Sequence, residues 1–297
     1  MTAKVLLFDT YSLFFRAHHA LPPMSTRAGE PTSALYGFSA LLLKLLREHR
    51  GAELAFALDA PSATFRHEAF EGYKASRDAV PDVLQAQFRR LDELLSTLEV
   101  PGFRVPGFEA DDVLATLARD LRASDRPTLI VSGDRDLLQL VHGSVQVLFM
   151  GRRGKDALLY DERAVRARFG LPAQRLPAYF ALVGEPSDDL PGVPGIGPGT
   201  AARLLRDVGS VEELLARLES AQPAKIREAL RQHREQILLG ERLATLRDDL
   251  DLGPGLRHAA PSSEALLRLR GWFEELEMKS LLPRVDALLR SSGTNFG

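Results

Sequence analysis

Three short apolar runs in this chain each close on an aspartate: VLLFD ends at Asp9, LAFALD at Asp59 and LIVSGD at Asp134. An unbroken apolar run bounded by turn signals reads as a strand covered on both faces, the habit of a parallel sheet with helices above and below it. Open α/β sheets place their ligands outside the carboxyl ends of the strands, so the three aspartates should meet in one place. Carboxylates held side by side repel one another, and a bound cation is the simplest means of keeping them ionised. The strand ends therefore predict a metal site.

The first half alternates apolar runs with helical patterns: strands over 4–9, 54–59, 128–133 and 145–149, with helices near 33–49, 82–98 and 109–122. Such alternation predicts an α/β class domain, a doubly wound and mostly parallel sheet flanked by helices. From about residue 161 the pattern changes to helical segments separated by Gly and Pro, such as QRLPAYFALVG and AKIREALRQHREQILLGERLATL. The expected organisation is an α/β core over 1–170 with a protruding segment at about 60–90, a helical subdomain over 171–290, and a disordered tail over 291–297.

At 297 residues, with 45% hydrophobic and 26% charged residues, the chain has ample material for a packed core. No apolar stretch approaches the roughly 18 to 20 residues that span a bilayer, and Met1 leads directly into a strand, so a soluble, intracellular protein is expected. Zero cysteines exclude disulfides and thiolate metal sites. The seven histidines show no metal-ligand spacing apart from adjacent His18 and His19, whose side chains should diverge on a helix. A net charge of −2 excludes nothing, since clustered carboxylates can mask a basic face elsewhere.

More acids accompany the three strand ends. Glu109, Asp111 and Asp112 open an apolar-faced helix in GFEADDVLATLA, Asp134 and Asp136 lie in SGDRDLLQL, and Glu185, Asp188 and Asp189 lie in VGEPSDDLPGVPGIG. Capping explains one or two acids at a helix start, but not all of these groups together. An all-carboxylate set suits Mg²⁺ or Mn²⁺. Ten candidate carboxylates are too many for one octahedral ion. Two ions about 3.5 to 4 Å apart could stabilise both the attacking and the leaving oxygen of an in-line phosphoryl displacement. Phosphodiester hydrolysis is the leading chemistry.

Two segments point to nucleic acid. PSATFRHEAFEGYKASRDAV interleaves Arg66, Lys74 and Arg77 with Phe65, Phe70 and Tyr73, and reads as a mobile lid beside Asp59. PGVPGIGPGTAARLL sets Gly195, Ile196 and Gly197 between two short helices, with Thr200 at the start of the second, the pattern of a helix-hairpin-helix over about 190–208 that grips a DNA backbone.

With these motifs in view, and with LLFDTYSLFFRAHHALP, TFRHEAFEGYKASR and SDDLPGVPGIGPGTAARLL in particular, the chain resembles the 5′ nuclease (flap endonuclease) family from about Val5 to Leu289. More specifically, it is similar to the 5′-3′ exonuclease domain at the N-terminus of bacterial DNA polymerase I. The resemblance implies a PIN-like, resolvase-like core and a two-ion nuclease acting on DNA with 5′ flaps, 5′ overhangs or nicks, RNA primers included, in bacterial replication and repair. It implies a first ion on Asp9, Asp59 and Glu109, Asp111 shared, a second on Asp134, Asp136, Asp188 and Glu185, and Asp112 near both. Lys74 and Arg77, on an arch helix, would contact the scissile phosphate, Arg66 and Tyr73 would support the same strand, and Phe15 would stack a base. A K⁺ ion at the helix-hairpin-helix, a monomeric state, a polymerase domain or partner and a cytoplasmic location are further expectations. The chain departs from the family pattern at Thr10, Phe15, Glu185, Asp189, Pro194 and Gly199. Two other readings stay open: a non-catalytic, metal-braced DNA-binding module, and a phosphatase with an aspartate nucleophile, which would want a carboxylate where Tyr11 stands.

Overall fold

The computed structural model describes residues 4–151, 157–218, 224–253 and 258–291, so the expected tail lies outside it from residue 292 on. Its centre is a six-stranded sheet in the order β3-β2-β1-β4-β5-β6: β1 Val5–Asp9, β2 Glu53–Ala57, β3 Gly102–Phe103, β4 Thr128–Ser132, β5 Val145–Met150 and β6 Ala157–Tyr160. The first five run parallel, and only the edge strand β6 is antiparallel. Side chains alternate across the pleat. Val5, Leu7, Ala55, Ala57 and Ile130 face one apolar layer, while Leu6, Phe8, Leu54, Phe56 and Leu129 face the other. Burial on both faces is why these strands read as continuous apolar runs.

Among the described residues the helices begin with α1 Thr10–Ala20, α2 Ser33–Glu48, α3 Phe65–Ala69, α4 Asp82–Leu98, α5 Ala110–Ala123, α6 Glu162–Phe169, α7 Leu176–Val183, α8 Pro198–Leu204 and α9 Val211–Ala216. They are followed by α10 Ala224–Gln232, α11 Arg234–Ala244, α12 Ser263–Glu275 and α13 Leu282–Ser291. Helix α5 packs its Val113, Leu114 and Leu117 face into the layer shared with the helical half. The last two helices return to the other side, where Leu269, Phe273 and Val285 join α2 and α4 in the second layer. The run expected as one helix from Ala224 is broken at His233. Among the described residues no helix is long and apolar enough to cross a membrane.

Candidate active site

Strand order reverses between β1 and β4, and that switch point is where an open sheet leaves a crevice at its carboxyl edge. Asp9, the last residue of β1, and Asp134, just beyond β4, flank it. Ser132 joins them: its hydroxyl donates to Asp9 Oδ2 and accepts the Asp134 amide at 2.8 Å. Asp134 Oδ1 in turn accepts the Asp136 amide at 2.9 Å. Asp59, past the end of β2, accepts the amide of Ala110 at 2.9 Å. That amide is the first of α5, where unpaired N–H groups favour a negative charge, so the contact ties Asp59 to the helix start that carries Glu109 and Asp111.

Burial dominates the protonation of this group. It pushes the Asp9 carboxyl up to about 7, with repulsion from Asp134 and Asp59 adding to the effect and Ser132 opposing it. Burial likewise raises Asp111 well above the usual range, helped by Asp134 and Asp9, and raises Asp136, helped by Asp134 and Asp188. Asp59 and Asp188 shift upward for the same first reason. Glu109 is the exception: burial pushes it up, but Lys74 and Arg66 outweigh that and hold it below the ordinary range.

Lys74 and Arg77 do reach the acids, although the expected arch helix does not form around them. After the single turn of α3 the chain makes successive turns, with Tyr73 N to Phe70 O at 3.0 Å, Ala75 N to Gly72 O at 3.3 Å and Arg77 N to Lys74 O at 3.2 Å. Lys74 itself is left-handed, at φ 54°, and its amide donates to Asp188 O at 3.1 Å. Such a conformation costs a non-glycine residue about 1 to 3 kcal/mol and persists because the contact with the Asp188 turn holds it. It delivers Nζ to Glu109 Oε1 at 2.7 Å and to within 3.8 Å of Asp188 Oδ1. Arg77 Nη2 lies 3.1 Å from Asp188 Oδ1, and the Tyr73 hydroxyl sits between Glu109 Oε2 at 2.9 Å and Asp188 Oδ2 at 3.0 Å.

Three expected site residues, Arg66, Asp112 and Tyr73, take a different place. Arg66, expected on the DNA strand, is 1% exposed and forms a two-pronged pair with Asp112 at 2.7 and 2.8 Å, while its Nε donates to Leu243 O at 2.8 Å. Asp112, expected beside the ions, is fully buried and also accepts the amides of Arg247 at 2.9 Å and Glu109 at 3.1 Å. The pair faces inward and fastens α3, α5 and the end of α11 together. Tyr73, 3% exposed, likewise lies beneath the acids rather than open to a strand. Glu185 is held by Arg135 at 2.7 and 2.8 Å, a partner the sequence reading did not single out.

Phe15 is half-buried on α1, with its ring edge-on to Phe88 at 6.2 Å. His18 and His19 do not diverge; their rings meet edge to face at 5.1 Å. In the glycine-rich turn, Gly195 is left-handed at φ 83° and Gly197 caps α8, with both exposed. The element before the turn is a 3-10 turn over Pro186–Asp188 rather than an α-helix, and the Ile196 side chain is 4% exposed, turned inward as the anchor of the hairpin. Thr200 is half-buried in the first turn of α8. The hairpin depends on close backbone passage: a Cβ on Gly184 would lie 2.6 Å from Gly192 N, and one on Gly192 would lie 2.2 Å from Val183 O.

Among the described residues, no three of these side chains are gathered into a ready-made coordination sphere. The protein's own cations stand among them instead. Three observations nevertheless fit a hard divalent cation. The donor set is entirely oxygen, Asp136 Oδ1 is buried without a hydrogen-bond partner, and Asp9, Asp111 and Asp188 are raised first by burial and then by neighbouring carboxylates, Asp134 among them in each case.

Known proteins resemble this chain along most of its length. Residues 4–170 match the family model described as 5′-3′ exonuclease, N-terminal resolvase-like domain, and residues 171–264 match 5′-3′ exonuclease, C-terminal SAM fold. The chain is 38% identical to DNA polymerase I of Bacillus caldotenax over 287 residues, covering 97% of this chain and 33% of that protein. It is 37% identical to a 5′-3′ exonuclease of Aquifex aeolicus, covering 96% of each. The chain thus spans about a third of the polymerase relatives and nearly the whole of the exonuclease. The structure of T5 5′-exonuclease with zinc bound shares the fold, with a TM-score of 0.64 at 19% identity over 93% of this chain and 98% of that one. The chain belongs to the 5′-3′ exonuclease family.

Proposed function

We propose that this chain hydrolyses DNA phosphodiesters at 5′ flaps and 5′ ends, using two divalent cations, Mg²⁺ or Mn²⁺. The observation that carries the reading is the convergence of Asp9, Asp59, Asp111, Asp134, Asp136 and Asp188 on one crevice, where Asp9, Asp136 and Asp188 are buried and Asp9, Asp111, Asp136 and Asp188 are raised first by burial and then by the charge of neighbouring carboxylates. Asp9, Asp59 and Glu109 would hold the first ion, Asp136 and Asp188 the second, and Asp111 and Asp134 stand between them. When bound, the ions lower the pKa of an attacking water and neutralise the leaving 3′ oxygen.

The remaining work belongs to the protein. Lys74 and Arg77 set positive charge at the acids, where a phosphate entering the crevice would meet both as charge develops on its oxygens. Tyr73 holds Glu109 and Asp188 at a fixed separation. Arg66 and Asp112 lock the lid segment to α5, so the Lys74 turn is positioned by a buried pair rather than by the substrate. The exposed backbone at Gly195 and Gly197 offers amides to a duplex backbone irrespective of sequence. Phe15, beside the start of α1, supplies a partly open aromatic face for a base. We propose a monomer acting in the bacterial cytoplasm, with a polymerase as its partner, either in one chain or in two.

Cleavage of a 5′-labelled single-flap duplex in Mg²⁺ or Mn²⁺, native against Asp111→Ala, tests the reading. Cutting near the junction that needs the metal and collapses in the variant is expected. Tight flap binding without cutting in either ion would leave a binding module in its place.

A further inference from the structure

Glu185 is paired with a cation from the Asp134–Asp136 loop itself, whereas the cations at Glu109 and Asp188 come from the lid segment. Its side chain is 2% exposed, and both oxygens face Arg135 Nη2, at 2.7 and 2.8 Å. Oε1 also accepts the Ser187 hydroxyl at 2.6 Å and the Ser187 amide at 3.3 Å. Its backbone makes a two-way bridge with Leu190, at 3.0 and 3.1 Å. The carboxylate is thus held from within the protein, with three of its four contacts on Oε1 and one on Oε2. Asp136 is the opposite case: also buried, yet Oδ1 has no partner.

The two clamped residues lie on the two segments that deliver the second group of acids. Arg135 sits between Asp134 and Asp136 after β4, and Glu185 caps the 3-10 turn that carries Asp188. We propose that Glu185 is not an ion ligand in this chain. With Arg135 it forms a neutral clamp that holds the Asp188 turn against the Asp134–Asp136 loop, leaving Asp136 and Asp188 as the ion-facing carboxylates. Glu185 and Arg135 are positioning residues, acting on the second ion only through the spacing they impose and the charge they cancel. The proposal rests on the two-ion reading above.

The test is a Mn²⁺ titration of the DNA-free chain, followed by electron paramagnetic resonance, with thermal unfolding as the check on folding. The native chain binds two Mn²⁺. In Glu185→Gln, Arg135 is left as an uncompensated charge beside the pocket, and the weaker Mn²⁺ loosens about tenfold, the usual scale for a supporting residue. Adding Arg135→Gln cancels that charge and lets two amides keep the contact, so the double variant regains the native affinity and count. It also serves where Glu185→Gln alone fails to fold. Asp136→Asn loses the weaker ion outright. A double variant that folds like the native chain but binds a single Mn²⁺ would make Glu185 a ligand and overturn the proposal alone. A native chain that binds fewer than two would overturn the two-ion reading, and the clamp with it.

Discussion

Asp9→Asn should make the metal-free protein more stable at neutral pH while destroying its activity. The folded chain binds the Asp9 proton with a pKa of about 7, against 3.8 for an ordinary aspartate. Because the folded state holds that proton more tightly, the associated stability is fully present below pH 3.8 and is lost as pH rises through 7. Above that range the ionised carboxyl costs the fold about 4 kcal/mol, from a difference of roughly three pKa units at 1.36 kcal/mol each. Asparagine removes this cost. It also faces Ser132 with an amide where a carboxylate accepted the hydroxyl, an offset of about 1 to 2 kcal/mol. The net gain at pH 8 is then about 2 to 3 kcal/mol, or several degrees in Tm for a chain of this size. Thermal unfolding by circular dichroism in EDTA reads it directly. The advantage should vanish near pH 5, where native Asp9 is protonated when folded, and should reverse in Mg²⁺, which stabilises only a chain that can bind it. A variant less stable than the native chain in EDTA at pH 8 would refute the claim that Asp9 is a buried charge awaiting a cation.

Other consequences follow from the same geometry. Lys74→Gly keeps the left-handed turn and removes only the amine, so flap cleavage should fall about 10² to 10³-fold in kcat with the fold unchanged; retained cleavage would show that the turn, not Nζ, matters. Arg66→Ala leaves Asp112 buried without its partner and should cost about 3 to 5 kcal/mol in metal-free denaturant unfolding, with a milder loss in Arg66→Met/Asp112→Leu. Equal stability of Arg66→Ala and the native chain would return Arg66 to the DNA. Gly192→Ala drives a Cβ into Val183 O and should lower Tm by several degrees, more than Gly199→Ala, whose Cβ meets nothing within 4 Å.

What the sequence disclosed follows the range of the interactions involved. Asp9, Asp59 and Asp134 were legible because an apolar strand and its terminal acid are neighbours in the chain, and strand ends share an edge whatever the rest does. Glu109 and Asp111 were legible for a similar reason, as acids at a helix start. The partner of Asp112 was not, since Arg66 lies 46 residues away and its basic, aromatic surroundings suggest an exposed strand-binding segment. Lys74 was placed on a helix because its left-handed backbone is imposed by a contact with Asp188, which no local propensity records. Ser132 carried one faint signal, a lone polar residue closing an apolar strand. Arg135 looked like any arginine between two aspartates. The return of α12 and α13 to the α2 and α4 side is likewise a matter of tertiary packing that helical periodicity leaves open.

The central claim is that these carboxylates act by holding two cations, and the dependence of single-turnover flap cleavage on Mg²⁺ concentration tests it most directly. At Mg²⁺ well below saturation, with ionic strength held constant, the rate should climb as the square of the concentration, and EDTA should abolish it. A rate that climbs only in direct proportion, or that survives EDTA, would contradict the two-ion account.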